Sequence, residues 1–433
     1  MNNSGAPLSS TPWQLFRERQ FLPLFVTQFL GALNDNVFKN SLIVLLTFQS
    51  GQWTSLSPAL LANLAAGIFM LPFLFLSATA GQLADKLDKA WLARQVKLFE
   101  LFIIGIAGVG FFLHHWVWLM LALFLLGLHS TIFGPLKYAI LPQHLRADQL
   151  IAGNALIEAG TFIAILLGSL LGAMVSGLPN AGHAILLLCG LIGLGGYLAA
   201  RQIPQAVAPA PDLFLARNPL TESWRNLALA SKNRDVWLTI LAISWFWLYG
   251  GLVLIHLPGF VRDILQGNER LVTFVLALFI IGIGAGSLLC EWLARPGRMQ
   301  LPRLVGLGGV GMSFCTLVIT TTVANPEVML EGGAFIPWLS RLLWFGLGLG
   351  GGLFTVPLYT TLQRLSKTEI RGRMIAANNT MNAVFMLIGT MMAMGLFALG
   401  FDQRGVWNLL ALINLAVAIY MVWSATWANH TMN

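Results

Sequence analysis

Long apolar stretches separated by short polar turns run through nearly the whole chain. They fall at residues 21–48, 58–81, 92–113, 116–139, 150–176 and 183–201, and again at 236–261, 271–294, 303–323, 336–361, 371–399 and 405–427. An α-helix needs about 20 residues to cross the hydrocarbon of a bilayer, and each stretch meets or approaches that length. Backbone polar groups inside hydrocarbon must be bonded within the segment, so stretches of this length predict helices. The expected fold is all-α integral membrane, with twelve transmembrane helices. The one long polar stretch, residues 202–235, is proline-rich near its start and basic toward its end, as a linker on a membrane surface is. It separates an N-terminal six-helix bundle at 21–201 from a C-terminal one at 236–427, with tails at 1–20 and 428–433.

Composition sharpens this picture. Hydrophobic residues make up 57% of the 433 positions and charged residues 10%, against about 25% charged in soluble domains. A soluble fold of this size is excluded. The first 20 residues lack a central apolar stretch and a cleavage signature, so they read as a cytoplasmic tail and the first apolar stretch as a permanent helix. A net charge of +8 suggests nucleic acid in a soluble protein. Here, with the first tail inside, eighteen of the loop and helix-end Lys and Arg residues fall on the inner side and only Arg262, Arg270 and Arg404 on the other. That asymmetry predicts cytoplasmic termini and accounts for the basic excess without nucleic acid. Cys189, Cys290 and Cys315 all lie in apolar stretches and read as small hydrophobes, with neither a disulfide framework nor a metal site.

An internal repeat links the halves. Pro135, Leu136 and Tyr138, followed by Asn154, recur as Pro357, Leu358 and Tyr359, followed by Asn378, each set at the junction of the fourth and fifth spans of its half. A duplicated six-helix unit places them so. Glycines four apart, such as Gly168 with Gly172, Gly282 with Gly286 and Gly348 with Gly352, suit close helix packing. Enzyme chemistry finds no support. No lysine follows a glycine, so there is no Walker A phosphate loop, and no histidine precedes glutamate as a zinc protease helix requires. The His-x4-Asp pair of many glycerolipid acyltransferases is missing as well. Neither cofactor nor metal is expected.

Polar groups inside the spans are few, and such groups are costly and usually functional. Gln28, Asp35 and Lys39 share one face of the first helix, beside Asn34, Asn36 and Asn40. The fourth span carries His129 and Lys137, the fifth Asn154, Glu158 and Thr161, the tenth Arg341, and the eleventh Asn378 and Asn382. Trp245, Tyr249 and His256 form a stripe on the seventh. Asp35 could pair with Lys39 or Lys137 merely to pin helices together, but the unmatched amides around it favour a binding role. Lys137 and Glu158 are open to a structural reading too, Lys137 as a side chain snorkelling to the interface. Arg341 reads as snorkelling, the aromatic stripe as core more than ligand site, and Lys97 with Glu100 as structural. After the second span, the turn Gly81 to Lys89 sets Asp85 and Lys86 at a helix end, where they can latch one conformation of the bundle.

The Gly-x3-Asp-Lys pattern of Gly81, Asp85 and Lys86 resembles the loop between helices two and three of the major facilitator superfamily. Asp88 stands where a glycine is usual, and the second-half equivalent, from Gly286 to Arg298 with Glu291, is degenerate. More narrowly, QFLGALNDNVFKNSL, GPLKYAILPQHL and NALIEAGTFIAILLGSLLG resemble the bacterial lysophospholipid transporter (LplT) family, with nearly all that specificity in the first half. The resemblance implies a major facilitator superfamily fold of two six-helix pseudo-repeats. It also implies inward flipping of lysophosphatidylethanolamine-type lipids across the bacterial inner membrane, for reacylation by an acyl carrier protein dependent acyltransferase. That acyltransferase is fused to some relatives and would be a separate partner of this chain.

Carried over by motif, Asp35 and Asn36 match the helix-one pair, Lys137 the lysine of Pro-x-Lys-Tyr, and Asn154 with Glu158 the helix-five pair, while Lys39 is an addition. These six are the expected head-group residues. Gln28, His129, Trp245, Tyr249, His256, Asn378 and Asn382 are expected to line the cavity. The ammonium of a zwitterionic head suits Asp35 and Glu158, and its phosphate Lys137 or Lys39. The competing expectations are a proton-coupled exporter of drugs or a small metabolite, with the proton on Asp35 or Glu158, and a membrane scaffold for a lipid enzyme.

Overall fold

The computed structural model describes residues 12–48, 53, 58–266, 269–295, 298–323 and 335–423. Its first six long helices are α1 (Leu22–Phe48), α2 (Pro58–Lys86), α3 (Lys89–Phe112), α4 (Trp116–His144), α5 (Leu150–Ser176) and α6 (Ala181–Ala200). A short α7 (Pro219–Ser231) follows. The second half holds α8 (Arg234–Asp263), α9 (Glu269–Leu293), α10 (Leu301–Val318), α11 (Phe335–Leu365), α12 (Arg371–Ala398) and α13 (Gln403–Trp423). No strand occurs among the described residues. Of the twelve long helices, eleven are long and apolar enough to cross a membrane. The exception, α1, is set apart by its amides, Asp35 and Lys39.

Two helices run further than their hydropathy suggests. Gly81 to Lys86, polar enough to read as a turn, is the last helical stretch of α2, so the connection to α3 is only Leu87 and Asp88. Asp88 then caps α3 by accepting from the Trp91 backbone N–H at 2.8 Å, which gives the aspartate at a usual glycine position a structural purpose. α4 continues through Pro135 and Pro142 to His144. A proline removes one helical hydrogen bond, and a helix packed on all sides can bridge that gap.

The linker contains a helix that its polarity conceals. Asn218 accepts from Leu220 N–H at 3.0 Å and Thr221 N–H at 3.3 Å, with Pro219 opening the first turn of α7. α7 lies on α2, α8 and α12, burying Glu222, Ser223 and Asn226 and leaving Leu220 and Trp224 outward. Upstream of it the linker is strapped to the α2–α3 corner. Ala206 N–H donates to Asp88 at 3.0 Å, Ala210 N–H to the Asp85 carbonyl at 3.0 Å, and Lys86 Nζ to the Leu213 carbonyl at 2.8 Å.

Within each half the helices approach closely where glycines fall. α1 meets α5 at Gly168, where a Cβ would lie 2.7 Å from the Leu33 carbonyl oxygen, and α9 packs on α11 in the same manner. The halves meet along two seams, α2 against α12 and α5 against α9, with α11 reaching α4 and α5. The apolar core runs from one half to the other at the end where the linker is strapped. There Leu136, Leu141 and Leu156 share a cluster with Leu358, Leu362 and Met374. At the far end the core of the first half, around Val37, Leu42, Ile103, Leu119 and Ile185, is confined to its own helices.

Candidate functional site

Periodicity places Gln28, Asp35 and Lys39 on one face of α1 with the asparagines beside it, and packing divides these polar groups among three neighbours. Asn34 turns toward α3 and donates to Glu100 Oε1 at 2.6 Å. Asp35 turns toward α4, where the Ser130 hydroxyl donates to it and His129 Nδ1 lies 3.7 Å away. Asn36 and Asn40 turn toward α5. The Asn36 amide donates to the Ala32 carbonyl of its own helix at 2.8 Å, and Asn40 bonds Ser169 Oγ at 2.9 Å. Asp35 retains 9% of its surface exposed, and Lys39, Ser130, Lys137 and Thr161 retain more.

The two lysines of this group rest on aromatic faces. Lys39 Nζ lies 5.1 Å from the Phe69 ring centroid and Lys137 Nζ 4.9 Å from that of Tyr138. Lys137 also bonds Thr161 Oγ1 at 3.4 Å, and that hydroxyl lies 2.9 Å from Gln28 Oε1. Among the described ion pairs, Asp35 has no lysine or arginine partner. A carboxylate and two ammonium groups therefore sit within electrostatic reach of one another, held by helices of one bundle, with Lys39 and Lys137 partly exposed.

Behind Asp35 lies a fully buried cluster. Lys97 Nζ donates to Glu100 Oε2 at 2.6 Å, with both side chains at zero exposure, and His129 Nε2 lies 3.6 Å from the same carboxylate. Lys97 and Glu100 hold a structural ion pair, as their sequence positions suggest. Their continuity with Asp35 through His129 is tertiary information.

Toward the linker end the site is closed by stacked layers joining the halves. Tyr138 and Tyr359, the repeat-related tyrosines, stack at 4.4 Å between centroids and 4° between planes. Tyr138 donates to Glu158, and Trp247 Nε1 donates to the Tyr359 hydroxyl at 3.1 Å. In the next layer Asn154 Nδ2 donates to Gln363 Oε1 at 2.6 Å and Thr360 Oγ1 at 3.2 Å, while Gln363 Nε2 donates to the Tyr138 carbonyl at 3.0 Å. Asn154, expected at a head group, is thus sealed between α5 and α11 with no exposed surface.

The last layer holds the residues expected to act as a latch. Asp85, at zero exposure, accepts from Gly372 N–H at 2.7 Å, Arg373 N–H at 3.1 Å and Arg373 Nε at 3.3 Å, so a carboxylate of α2 caps the N-terminus of α12 across the seam. Gly81 allows the approach, since a Cβ there would lie 2.5 Å from that of Ala376. Lys86, paired with Asp85 in the sequence motif, instead holds the linker. The opposite seam has no such device among the described residues. Glu291 pairs with Arg295 of its own helix end at 3.2 Å, and Ala155 packs among Cys290, Leu304, Leu353 and Val356.

The remaining expected cavity residues lie mostly within the second bundle. Trp245 Nε1 donates to Asn414 Oδ1 at 2.9 Å, and Tyr249 is buried against Thr316. His256 packs edge-on to Phe397 at 5.2 Å, Asn382 accepts from Ser244 at 2.9 Å, and Asn378 is fully buried. Trp247 and Ser130, singled out by no motif, reach the gate and the carboxylate. Trp247 lies two residues from Trp245 on α8, so a stripe drawn at helical spacing selects the face turned to α13 and misses it.

A family model described as the Major Facilitator Superfamily matches residues 24–390. The chain belongs to this superfamily. Solved structures share its architecture. The human organic anion transporter MFSD10 (TETRAN) superposes with a TM-score of 0.71 at 14% identity, over 93% of this chain and 99% of that one. The superfamily's proton:xylose symporter XylE does so at 0.65 and 13%, over 96% of each. In sequence the chain is similar to the lysophospholipid transporter LplT of Cronobacter sakazakii, 27% identical over 401 residues, 91% of both chains. It is likewise similar to that of Salmonella typhimurium, 27% identical over 366 residues, 83% of both. The chain is a multi-pass membrane transporter of the superfamily's fold.

Proposed function

We propose that this transporter moves a lysophospholipid of the phosphatidylethanolamine type across the inner membrane, from the outer to the inner leaflet. The observation that carries the reading is the pairing of opposite charges on one partly open face, Asp35 on α1 with Lys39 and Lys137 beside it and no ion pair joining them. A zwitterionic head satisfies both signs, its ammonium at Asp35 and its phosphate at a lysine, which together replace the hydration it sheds on entry. The single acyl chain stays in an apolar crevice or in the bilayer. The similarity to LplT proteins over most of the chain supports this substrate class.

Lys and Arg crowd the linker end, which supports a cytoplasmic position for it. The gate of Tyr138, Tyr359, Asn154 and Gln363 and the Asp85 latch then close the cytoplasmic side, and the site is presented outward. Rocking of the two bundles about the site breaks these layers and opens the other side. Glu158, engaged by Tyr138, becomes available to the head group only once the tyrosines part. The test is uptake of labelled lysophosphatidylethanolamine into vesicles containing purified protein. Asp35→Ala abolishes uptake while the protein elutes as a folded species, and Lys137→Ala reduces it. Normal uptake by Asp35→Ala removes the role given to the carboxylate, and transport of soluble solutes with no lipid flux moves the substrate to another class.

A further inference from the structure

A cavity of about 240 Å³ lies at the linker end of the second half, apart from the head-group face of the first bundle. The end of α7, the first turn of α8, the end of α11 and the start of α12 enclose it, and Leu229, Val236, Leu365 and Met374 give it apolar walls. Lys232, just after α7, and Lys367, just after α11, line it from separate segments. Both lysines are exposed, and neither has an ion pair among the described residues. No Asp or Glu belongs to the lining, and Glu369, the acid closest in sequence to Lys367, is exposed outside it. Arg371 is committed elsewhere, donating to the Gln363 and Ser366 carbonyls at 3.0 and 3.2 Å.

We propose that this cavity binds the head group of an anionic phospholipid from the adjoining leaflet, with its phosphate between Lys232 and Lys367, and that the bound lipid favours the form closed at the linker end.

Three observations point to a lipid. Two unpaired cations with no acid in the lining suit a phosphate, and basic pockets at the ends of spanning helices are suited to anionic head groups. The apolar walls suit the start of an acyl chain, which a free phosphate lacks. The depth is right as well, since the cavity is framed by the ends of spanning helices α8 and α11, where head groups lie. α7 adds an independent sign. It turns Glu222, Ser223 and Asn226 toward the protein and leaves Leu220, Trp224 and Arg225 outward, an orientation that a polar surface helix facing only water would reverse. Tryptophan beside arginine is the pattern of a helix resting at a lipid interface.

The effect on the closed form follows from what the cavity joins. An anion held by both lysines fastens the end of α7 to the α11–α12 corner of the second half. Upstream, the linker is fastened to the first half, through Lys86 Nζ on the Leu213 carbonyl at 2.8 Å and Ala216 N–H on Gln82 Oε1 at 3.1 Å. α7 itself packs on both α2 and α12, the two sides of the seam. With the cavity filled, linker and lipid together span that seam, and parting it must break one attachment or the other. A ligand that binds one form better shifts the population toward it.

Two measurements test this. Native mass spectrometry of the purified protein counts retained phosphatidylglycerol against phosphatidylcholine. Preferential retention of phosphatidylglycerol is expected, weakened about tenfold or more in Lys232→Gln/Lys367→Gln and kept in Lys232→Arg/Lys367→Arg. Equal retention by the parent and the glutamine variant overturns the site, and displacement of the lipid by an equal concentration of glycerol phosphate overturns its assignment to a lipid. The second measurement follows closure in nanodiscs of phosphatidylcholine with or without phosphatidylglycerol. A cysteine placed by Thr360→Cys, with the three native cysteines replaced by Ala, is buried in the layer of Asn154 and Gln363. Its labelling by an impermeant maleimide is expected to slow several-fold with phosphatidylglycerol, and not in the glutamine variant. Labelling indifferent to the lipid, or slowed equally in both proteins, overturns the effect on closure.

Discussion

Replacing Asp85 with Asn tests the idea that one carboxylate holds the linker end shut. In the closed form Asp85 receives two backbone N–H groups from the first turn of α12 and one N–H of Arg373, at 2.7, 3.1 and 3.3 Å, with its own surface wholly buried. Hydrogen bonds to a charged group contribute about 1.5–3 kcal/mol each, and a negative charge at a helix N-terminus up to about 2 kcal/mol more in a partly buried setting. Opening the seam lets water replace these partners, and Asn keeps one acceptor, so only part of that sum is lost. A loss of about 2 kcal/mol for the closed state is expected, which raises the population open at the linker end roughly 30-fold. The assay uses Thr360→Cys, a position buried in the Asn154–Gln363 layer, with Cys189, Cys290 and Cys315 replaced by Ala. The rate of labelling by an impermeant maleimide from the linker side reports the open fraction. A rate in Asp85→Asn equal to that of the parent refutes the latch.

The other expectations concern the same seam and the buried pair. Gly81→Ala drives a methyl into Ala376 and the Gly372 carbonyl, so it raises Thr360→Cys labelling several-fold with Asp85 intact; slower labelling contradicts the contact. Tyr359→Leu removes a stacked pair with a contribution of about 1 kcal/mol, and labelling is expected to rise about fivefold, whereas no change would locate the barrier in the layers below. Glu100→Gln leaves Lys97 buried without its counter-charge and is expected to cost about 3–5 kcal/mol of stability, largely restored by adding Lys97→Met; thermal unfolding in detergent measures both, and an unaltered midpoint for the single variant discards the buried pair.

Several residues show how far the sequence reaches. Asp35 was legible because a carboxylate amid amides on an apolar helix cannot face lipid. Asp85 was legible because its turn sets an acid and bases at a helix end. Asn154 was legible as unusual, yet its location in the seal and not at the open face depends on Gln363 and Thr360, about 200 positions away. Lys97 and Glu100, three residues apart on one helix, read as structural, and no local pattern connects them to Asp35 through a histidine on α4. Tyr138 and Tyr359 stood out as copies of one motif, while their mutual stacking follows from the approach of the two halves.

The sequence alone determined what solvent and covalent spacing dictate. Length and hydropathy demand helices that bond their own backbones in hydrocarbon, and repeated motifs mark two related halves. Which polar groups meet was decided only by the tertiary structure. Side chains one residue apart on α1 turn toward α3, α4 and α5 because consecutive positions lie about 100° apart around a helix and each direction holds a different neighbour. The same holds for the closed linker end, since Asp85 finds its partners on α12 nearly three hundred residues away.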